Sequence, residues 1–160
     1  MICVQREDFD PGVDTQRLAD ASKGAGALCV FVGLVRDLNT GTAVTAMTLE
    51  HYPGMTEREL ERIEAQAHAC WPLAATSVVH RWGQLAPGDR IVFAGAASAH
   101  RDAAFEACRF LADMLKTRAP FWKAEETSRG RRWVEARAED DAASSRWSGH
   151  PGPAGKRHSR

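Results

Sequence analysis

"RIVFAGAASAHRDAAFEACRFLADMLKT" (residues 90–117) contains an apolar strand and, directly after it, a long amphipathic helix. After Arg90, residues 91–99 are an unbroken run of apolar and small side chains, and 90–99 is predicted to be a buried strand. The helix is predicted from about Arg101 to Thr117, and Ser98 just before it can serve as its cap. Its predicted buried residues recur at helical spacing: Phe105, Cys108, Leu111, Ala112 and Leu115.

The sequence before this stretch predicts a second long helix in "PGMTERELERIEAQAHACW" (53–71). Thr56 is predicted to cap it, and Glu59 three residues later completes a capping box. A strand over 75–85 and a turn at 87–89 then lead into the stretch above. Together these segments predict two main helices interleaved with strands.

The N-terminal segment is shorter and less regular. Residues 2–9 alternate loosely and predict a first strand, which the pair Pro11 and Gly12 would end. A short helix over 14–21 is expected next, with Asp14 as its N-cap.

Four further strands are predicted around these helices. The apolar run at 26–37 predicts a buried strand, and the alternating segment at 43–52 is expected to pair with it as a hairpin. Pro120 prevents the helix predicted over 101–117 from continuing, and strands at 121–127 and 131–137, joined by a short turn, follow it. Because strands and helices do not follow a strict βαβ rhythm, we expect an α+β fold with a mixed sheet.

Length and composition indicate one globular domain followed by a tail. The chain has 160 residues, 44% of them hydrophobic, so one core can be buried, and we assign it to residues 1–137. Residues 138–160 are polar and rich in Gly, Pro and Ser at their end, which predicts a disordered C-terminal tail.

Charge and targeting signals exclude several classes of function. Lys plus Arg equal Asp plus Glu at 21 each, so no overall charge attracts nucleic acid or an anionic membrane. No apolar run approaches the ~20 residues that span a bilayer. The N-terminus also lacks the pattern of a secretory signal, so we expect a cytoplasmic protein.

The cysteines and histidines do not predict a metal site. No CxxC pair is present, and we expect the thiols to be reduced, buried and not catalytic. His51, His68 and His80 share no spacing, and each is interpreted as a surface or satisfied histidine. The four cysteines are Cys3, Cys29, Cys70 and Cys108.

Five basic side chains are candidates for a functional site. His100 and Arg101 fall at a helix N-terminus, where free N–H groups bind phosphate or carboxylate, although both could simply face solvent. Arg36 follows a buried strand. Lys116 ends the long helix, where a purely structural role is an alternative, and Lys123 follows Phe-Trp on the next strand. A lysine against apolar walls can act as base or nucleophile, whereas a fully charged one binds phosphate, and both roles stay open.

Several segments together resemble one family, the large, catalytic subunit of molybdopterin synthase. The most specific strings are EHYPGM, SAHR and KTRAPFWK, and the likeness covers roughly residues 27 to 137. The similar segments are FVGLVRD (31–37), LEHYPGMTERELERI (49–63), HRWGQLAPGDRIVFAGAASAHRDAAFEA (80–107), LKTRAPFWKAE (115–125) and RWVEAR (132–137).

The resemblance implies an α/β hammerhead fold and a homodimer, with a small ubiquitin-like sulfur-carrier subunit on each protomer, which makes a heterotetramer. The carrier's C-terminal Gly-Gly tail would bring sulfur as a thiocarboxylate. The enzyme would convert cyclic pyranopterin monophosphate (precursor Z) into molybdopterin by installing two dithiolene sulfurs, without a cofactor or metal of its own.

The resemblance also implies roles for particular residues. Lys116 and Lys123 match the family's catalytic lysines, with Lys116 expected beside the carrier's terminal glycine. His100 and Arg101 would bind the substrate phosphate. Arg137 matches an arginine that reaches a neighbouring site across the dimer. The remaining substrate-binding positions are Leu34, Val35, Arg36, Ala124 and Glu125.

Two alternatives and one departure accompany this interpretation. A non-catalytic docking module for a ubiquitin-like tail is the main alternative, and the intact lysines argue against it. A nucleotide- or RNA-binding domain is disfavoured by the zero net charge. Leu34 departs from the lysine that relatives often carry, so a side-chain charge is missing there.

Overall fold

The computed structural model describes residues 1–39, 42–134, 142 and 145–148. Among the described residues up to 134 it contains three helices and nine strands in two sheets, which confirms the α+β class, the two main helices and the shorter helix predicted before them. None of the described helices is both long enough and apolar enough to cross a bilayer. The helices are α1 (Pro11–Ala21), α2 (Met55–Cys70) and α3 (Arg101–Thr117). The strands are β1 (Ile2–Gln5), β2 (Ala27–Leu34), β3 (Leu38–Asn39), β4 (Thr42–His51), β5 (Leu73–Arg81), β6 (Gly83–Leu85), β7 (Arg90–Ser98), β8 (Phe121–Thr127) and β9 (Gly130–Val134).

The first sheet has the strand order β1-β5-β7-β2 and is covered by helices on both faces. β1 runs parallel to β5, whereas β2 and β5 both run antiparallel to β7. Because β7 is central and covered on both sides, its residues from Ile91 to Ala97 form a continuous run of apolar and small side chains without polar alternation. The main core lies between this sheet and the two long helices and includes Leu60, Ile63, Val78, Ala94 and Leu111.

On the opposite face, α1 lies so close to β7 that Gly95 has no room for a side chain. A Cβ at Gly95 would lie 2.7 Å from Leu18 Cδ2 and 3.1 Å from Phe93 Cε1, and both neighbours are buried. We expect Gly95→Ala to lower the free energy of unfolding by about 1–3 kcal/mol, the usual cost of overpacking a core.

Urea denaturation of the two proteins at constant m-value measures this difference. Ala74→Ser is a matched control, because it adds one atom at an exposed position of β5 and should change stability by less than about 0.5 kcal/mol. A Gly95→Ala protein as stable as the wild type would show that α1 does not pack this tightly.

The second sheet has the order β3-β4-β8-β9, with β6 also paired to β4. The predicted hairpin between 26–37 and 43–52 is therefore wrong. β2 pairs with β7 in the first sheet, and β4 pairs with β8 and β6 in the second. The chain changes sheets at Val35, whose buried side chain already belongs to the core of the second sheet. Adjacent strands in a sequence often pair, but a connecting segment that crosses between sheets leaves no mark in local periodicity.

The beginning of α1 differs from the prediction. The first helical residue is Pro11, which was predicted to break the chain, and the N-cap is Asp10 and not Asp14. The Asp10 carboxylate accepts hydrogen bonds from the N–H groups of Gly12 and Val13 at 2.7 and 3.1 Å. Proline suits the first helical position because its missing N–H would have no helical partner there.

The capping box predicted for α2 is also wrong. Gly54, with a positive φ of 80°, is the N-cap, and its N–H donates to the Glu57 carboxylate at 2.6 Å. Thr56 lies inside the helix, fully buried, where its hydroxyl accepts a hydrogen bond from the Tyr52 N–H at 3.1 Å. The acceptor at the third helical position is thus Glu57, two residues before the predicted Glu59.

The bounds predicted for α3 are confirmed, but one predicted core residue is not. Cys108, Leu111 and Leu115 are buried, and Ala112 is half-buried. Phe105 is 58% exposed, because the neighbouring Ala104 takes the core position at that turn of the helix.

Most of the segment 138–160, for which disorder was predicted, lies outside the described residues. Trp147 belongs to the described part and is buried, with its ring centroid 5.4 Å from that of Phe110 and 5.6 Å from that of Trp71. Its indole N–H donates to the Asp113 carboxylate at 2.9 Å. At this position the chain is packed against α3.

Candidate active site

Lys116 lies in the last turn of α3 and is exposed, whereas Met114 and Leu115 beside it are buried. The Arg118 N–H donates to the Met114 carbonyl at 2.8 Å and closes the helix. The partial negative charge at a helix C-terminus favours a cation. The predicted position of Lys116 at a helix end is confirmed.

Lys123 lies on β8, opposite Leu49 of β4 and Val134 of β9, and is half-buried. Side chains alternate along a strand, so Phe121 and Lys123 share the face that also carries the buried Leu49. The predicted strand position of Lys123 is confirmed. The two lysines therefore have different environments, one in solvent and one against an apolar sheet.

A connection of only three residues, 118–120, joins the end of α3 to the start of β8. The Pro120 carbonyl accepts a hydrogen bond from the buried Thr56 hydroxyl at 3.4 Å, and the Phe121 N–H donates to the Ala119 carbonyl at 2.8 Å. Proline prevents α3 from continuing through this connection. The short link keeps Lys116 and Lys123 at the same end of the molecule.

His80, at the end of β5, lies beneath β8 and was not singled out from the sequence. Its ring stacks on Phe121 with centroids 3.8 Å apart and planes 12° from parallel. Nδ1 lies 2.9 Å from the Arg81 carbonyl, which can only accept, so the neutral ring carries its proton on Nδ1. The pKa of His80 is lowered to about 4, mainly by burial and to a smaller extent by the charges of Lys123 and His51. Of the two alternatives predicted for His80, a surface or a satisfied histidine, the structure shows the second, and no spacing in the sequence indicated its stack.

The lowered pKa of His80 predicts an acid sensitivity of the fold. In the unfolded chain the pKa returns to about 6.5, so between pH 6.5 and 4 the unfolded state binds a proton that the folded state does not. The free energy of unfolding should therefore fall as the pH decreases through this window, by about 3 kcal/mol in total from this group.

Denaturation of the wild type and of His80→Phe at several pH values between 7 and 4 isolates the effect. The carboxylates titrate equally in both proteins. The difference between the two proteins in how the free energy of unfolding changes with pH therefore reports His80 alone. The variant should lose less stability on acidification. Parallel pH profiles for the two proteins would contradict a neutral, buried imidazole.

The segment after β2 brings Arg36 to the same end of the molecule. Leu34 and Arg36 are exposed, and the buried Val35 between them is tied by two backbone hydrogen bonds of 2.9 Å to the turn before β7. The Val35 side chain packs in the same cluster as Leu49, the strand neighbour of Lys123. Arg36 therefore lies on the side of the fold that carries the lysines.

Ala124 and Glu125 follow Lys123 on β8, and both are buried in the single chain. Glu125 faces Arg132 across the β8–β9 pair, and the carboxylate accepts a hydrogen bond from the guanidinium at 3.1 Å. The side chains of Ala124 and Glu125 therefore form part of the sheet beside Lys123 and are not exposed to solvent.

His100 and Arg101 lie at the other end of α3. His100 is the N-cap and makes no side-chain capping bond, and the Arg101 side chain is 83% exposed beside Asp102. At a rise of about 1.5 Å per residue, α3 separates Arg101 from Lys116 by roughly 22 Å. One chain therefore does not bring this pair together with the two lysines, as a single anion pocket would require.

The other predicted groups add little to this site. Arg137 lies outside the described residues. Burial raises the pKa of the Cys108 thiol far above its usual range, which makes it a poor nucleophile. Among the described residues, no three His, Cys, Asp or Glu side chains are grouped so as to hold a metal ion.

Comparisons with known proteins agree with this arrangement. Residues 4–118 match the family model described as "MoaE protein". The chain is 56% identical over 146 residues to the molybdopterin synthase catalytic subunit of Pseudomonas aeruginosa, covering 91% of this chain and 97% of that protein. The MoaE protein structure from Burkholderia ambifaria is similar with a TM-score of 0.79 and 49% identity, covering 92% and 97% of the two chains. Molybdopterin synthase from Staphylococcus aureus is similar with a TM-score of 0.75 and 29% identity, covering 82% and 95%. This chain belongs to the MoaE family, that of the molybdopterin synthase catalytic subunits.

Proposed function

We propose that this protein transfers sulfur from the C-terminal thiocarboxylate of a small ubiquitin-like carrier to cyclic pyranopterin monophosphate and so forms the dithiolene of molybdopterin. The observation that supports this most directly is the placement of Lys116 and Lys123 at one end of the fold by the link 118–120. The sulfur arrives on the partner, so the chain needs no catalytic cysteine.

The two lysines suit the chemistry of a thiocarboxylate. When its sulfur bonds to the substrate, the C–S bond to the carrier is broken by water, and the carrier leaves with an ordinary carboxylate. This hydrolysis develops negative charge on the carrier's terminal acyl group and requires proton transfer. Lys116, exposed at the helix end, supplies a cation beside the carrier's terminal glycine. Lys123, half-buried on β8, lies where a proton-transferring group would be shielded from bulk water.

Exposed apolar side chains beside the lysines support a docked partner. Tyr52 and Met55 are 44% and 47% exposed next to Thr56, which bonds to Pro120 in the link between the two lysines. Trp122 is 55% exposed and projects from the face of β8 opposite to Lys123. Large apolar side chains grouped at a surface are typical of interaction sites. We place the carrier on this side of the molecule, with its tail reaching Lys116.

The substrate phosphate requires a second copy of the chain. His100 and Arg101 are too far from Lys116 along α3 to meet it within one protomer, at roughly 22 Å. In a homodimer, His100 and Arg101 of the second copy would complete the pocket that Lys116, Lys123 and Arg36 begin. Each site then combines an anion-binding helix N-terminus from one copy with the lysines of the other.

A reconstituted reaction tests this function. Purified protein, thiocarboxylated carrier and cyclic pyranopterin monophosphate should together form molybdopterin, and carrier with an ordinary carboxylate should give none. Carrier binding without product would instead support the non-catalytic docking module. Product formation by a variant with all four cysteines replaced by alanine would confirm that the sulfur does not pass through this chain.

A further inference from the structure

We propose that His80 is a positioning residue for Lys123, because its ring, stacked on Phe121, fixes the start of β8 and with it the direction of the lysine side chain. This inference rests on the proposed sulfur transfer. His80 lies in the first sheet and Lys123 in the second, so only the tertiary structure brings the two residues together.

Among the described residues, the stack is the closest ring contact between the two sheets near Lys123. His80 is the penultimate residue of β5 in the first sheet, and Phe121 is the first residue of β8 in the second. Their centroids are 3.8 Å apart, whereas the His51 ring lies 6.5 Å from Phe121. The start of β8 is also held by its backbone pairing with β4, where Phe121 lies opposite His51, and by a longer bond of 3.4 Å from the Thr56 hydroxyl to the Pro120 carbonyl. The stack adds a side-chain contact to the first sheet, which these backbone restraints do not provide.

The position of Phe121 determines that of Lys123. The two residues are separated by one position on β8 and project from the same face, so a tilt of the strand at Phe121 displaces the lysine as well. The His80 ring is itself fixed by the 2.9 Å hydrogen bond from Nδ1 to the Arg81 carbonyl. A displacement of about 1 Å of a reacting group can cost about 100-fold in rate.

The His80 ring is neutral, which suits a position next to Lys123. The titratable groups that face it are Lys123 from β8 and His51 from β4. A neutral imidazole adds no positive charge beside the lysine, and a permanent cation at the same position would disfavour the charged form of Lys123. A flat, uncharged ring therefore meets both requirements.

Steady-state kinetics of three variants test the proposal. His80→Leu removes the flat ring and should lower kcat about 10-fold or more, with the KM values for carrier and pterin within about twofold of the wild type. His80→Phe keeps a flat, neutral ring and should retain kcat within about threefold.

Phe121→Leu removes the other ring of the stack. It should show the same decrease in kcat and serves as the test if His80→Leu does not fold. His68→Gln, at an exposed histidine of α2, is the matched control and should leave the rate unchanged.

A double-mutant cycle distinguishes positioning of Lys123 from a general structural role. If His80 acts through Lys123, His80→Leu should lower the residual rate of Lys123→Ala by less than about twofold. Thermal unfolding measured alongside confirms that each variant is folded. The proposal would be overturned if His80→Leu lowered the rate by the same factor with and without Lys123, or if the His80→Leu protein were fully active. An inactive wild type would instead overturn the proposed function.

Discussion

Lys123→Ala should reduce the rate of molybdopterin formation about 100-fold or more, while the protein remains folded and still binds the carrier. The reason is the position of Lys123, half-buried on β8 between Leu49 and Val134, where no solvent cation can replace it. Removing one preorganised electrostatic or proton-transferring group costs about 10²–10³ in kcat in other enzymes.

The measurement is a single-turnover reaction with thiocarboxylated carrier in excess, combined with a carrier-binding titration. Lys23→Ala is a matched control, because Lys23 is an exposed lysine just after α1, in a segment that contributes nothing to the site. It should react at the wild-type rate. A Lys123→Ala protein with more than half of the wild-type rate would show that the chemistry assigned to this lysine is wrong, even though the family is established.

Mixing two inactive variants should restore activity, and this is the second large effect we expect. If two copies share each site as proposed, Arg101→Ala and Lys116→Ala each remove one half of it. In a mixed dimer, one site has both defects and the other has none. Random assortment of equal amounts should therefore give about a quarter of the wild-type activity. The physical reason is the length of α3, which holds Arg101 and Lys116 roughly 22 Å apart within one chain.

Co-refolding or co-expression with two affinity tags provides the mixed dimers. The mirror control pairs wild type with a chain that carries both substitutions. Shared sites predict about a quarter of the wild-type activity in that mixture, whereas sites formed within one chain predict about half. No recovery in the first mixture, together with half activity in the control, would rule out the shared site.

The lysines illustrate what could be predicted from local signals. Helical periodicity and Pro120 placed Lys116 at a helix end and Lys123 on the following strand, and the structure confirms both positions. Their environments could not be predicted in the same way. Lys123 is half-buried because β4 and β9 flank β8, and these pairings depend on residues far away in the sequence.

The errors have a common physical origin. The hairpin predicted between 26–37 and 43–52 assumed that neighbouring strands pair, but the chain crosses to another sheet at Val35. The caps of α1 and α2 were misplaced by a few residues because several polar side chains near each helix start could have served. Phe105 has apolar character but lies outside the helical face that α3 buries.

Local sequence patterns were sufficient for the fold class, for the extent of α3 and for the positions of Lys116 at a helix end and Lys123 on a strand, and sequence motifs were sufficient for the family. These properties depend on residues within one or two turns of each other, where side-chain periodicity and backbone capping act directly. The tertiary structure was needed for three others: the strand partners, the stack of His80 on Phe121, and the separation of Arg101 from Lys116. These depend on how distant segments pack, and packing is determined by the whole core at once and not by any single stretch.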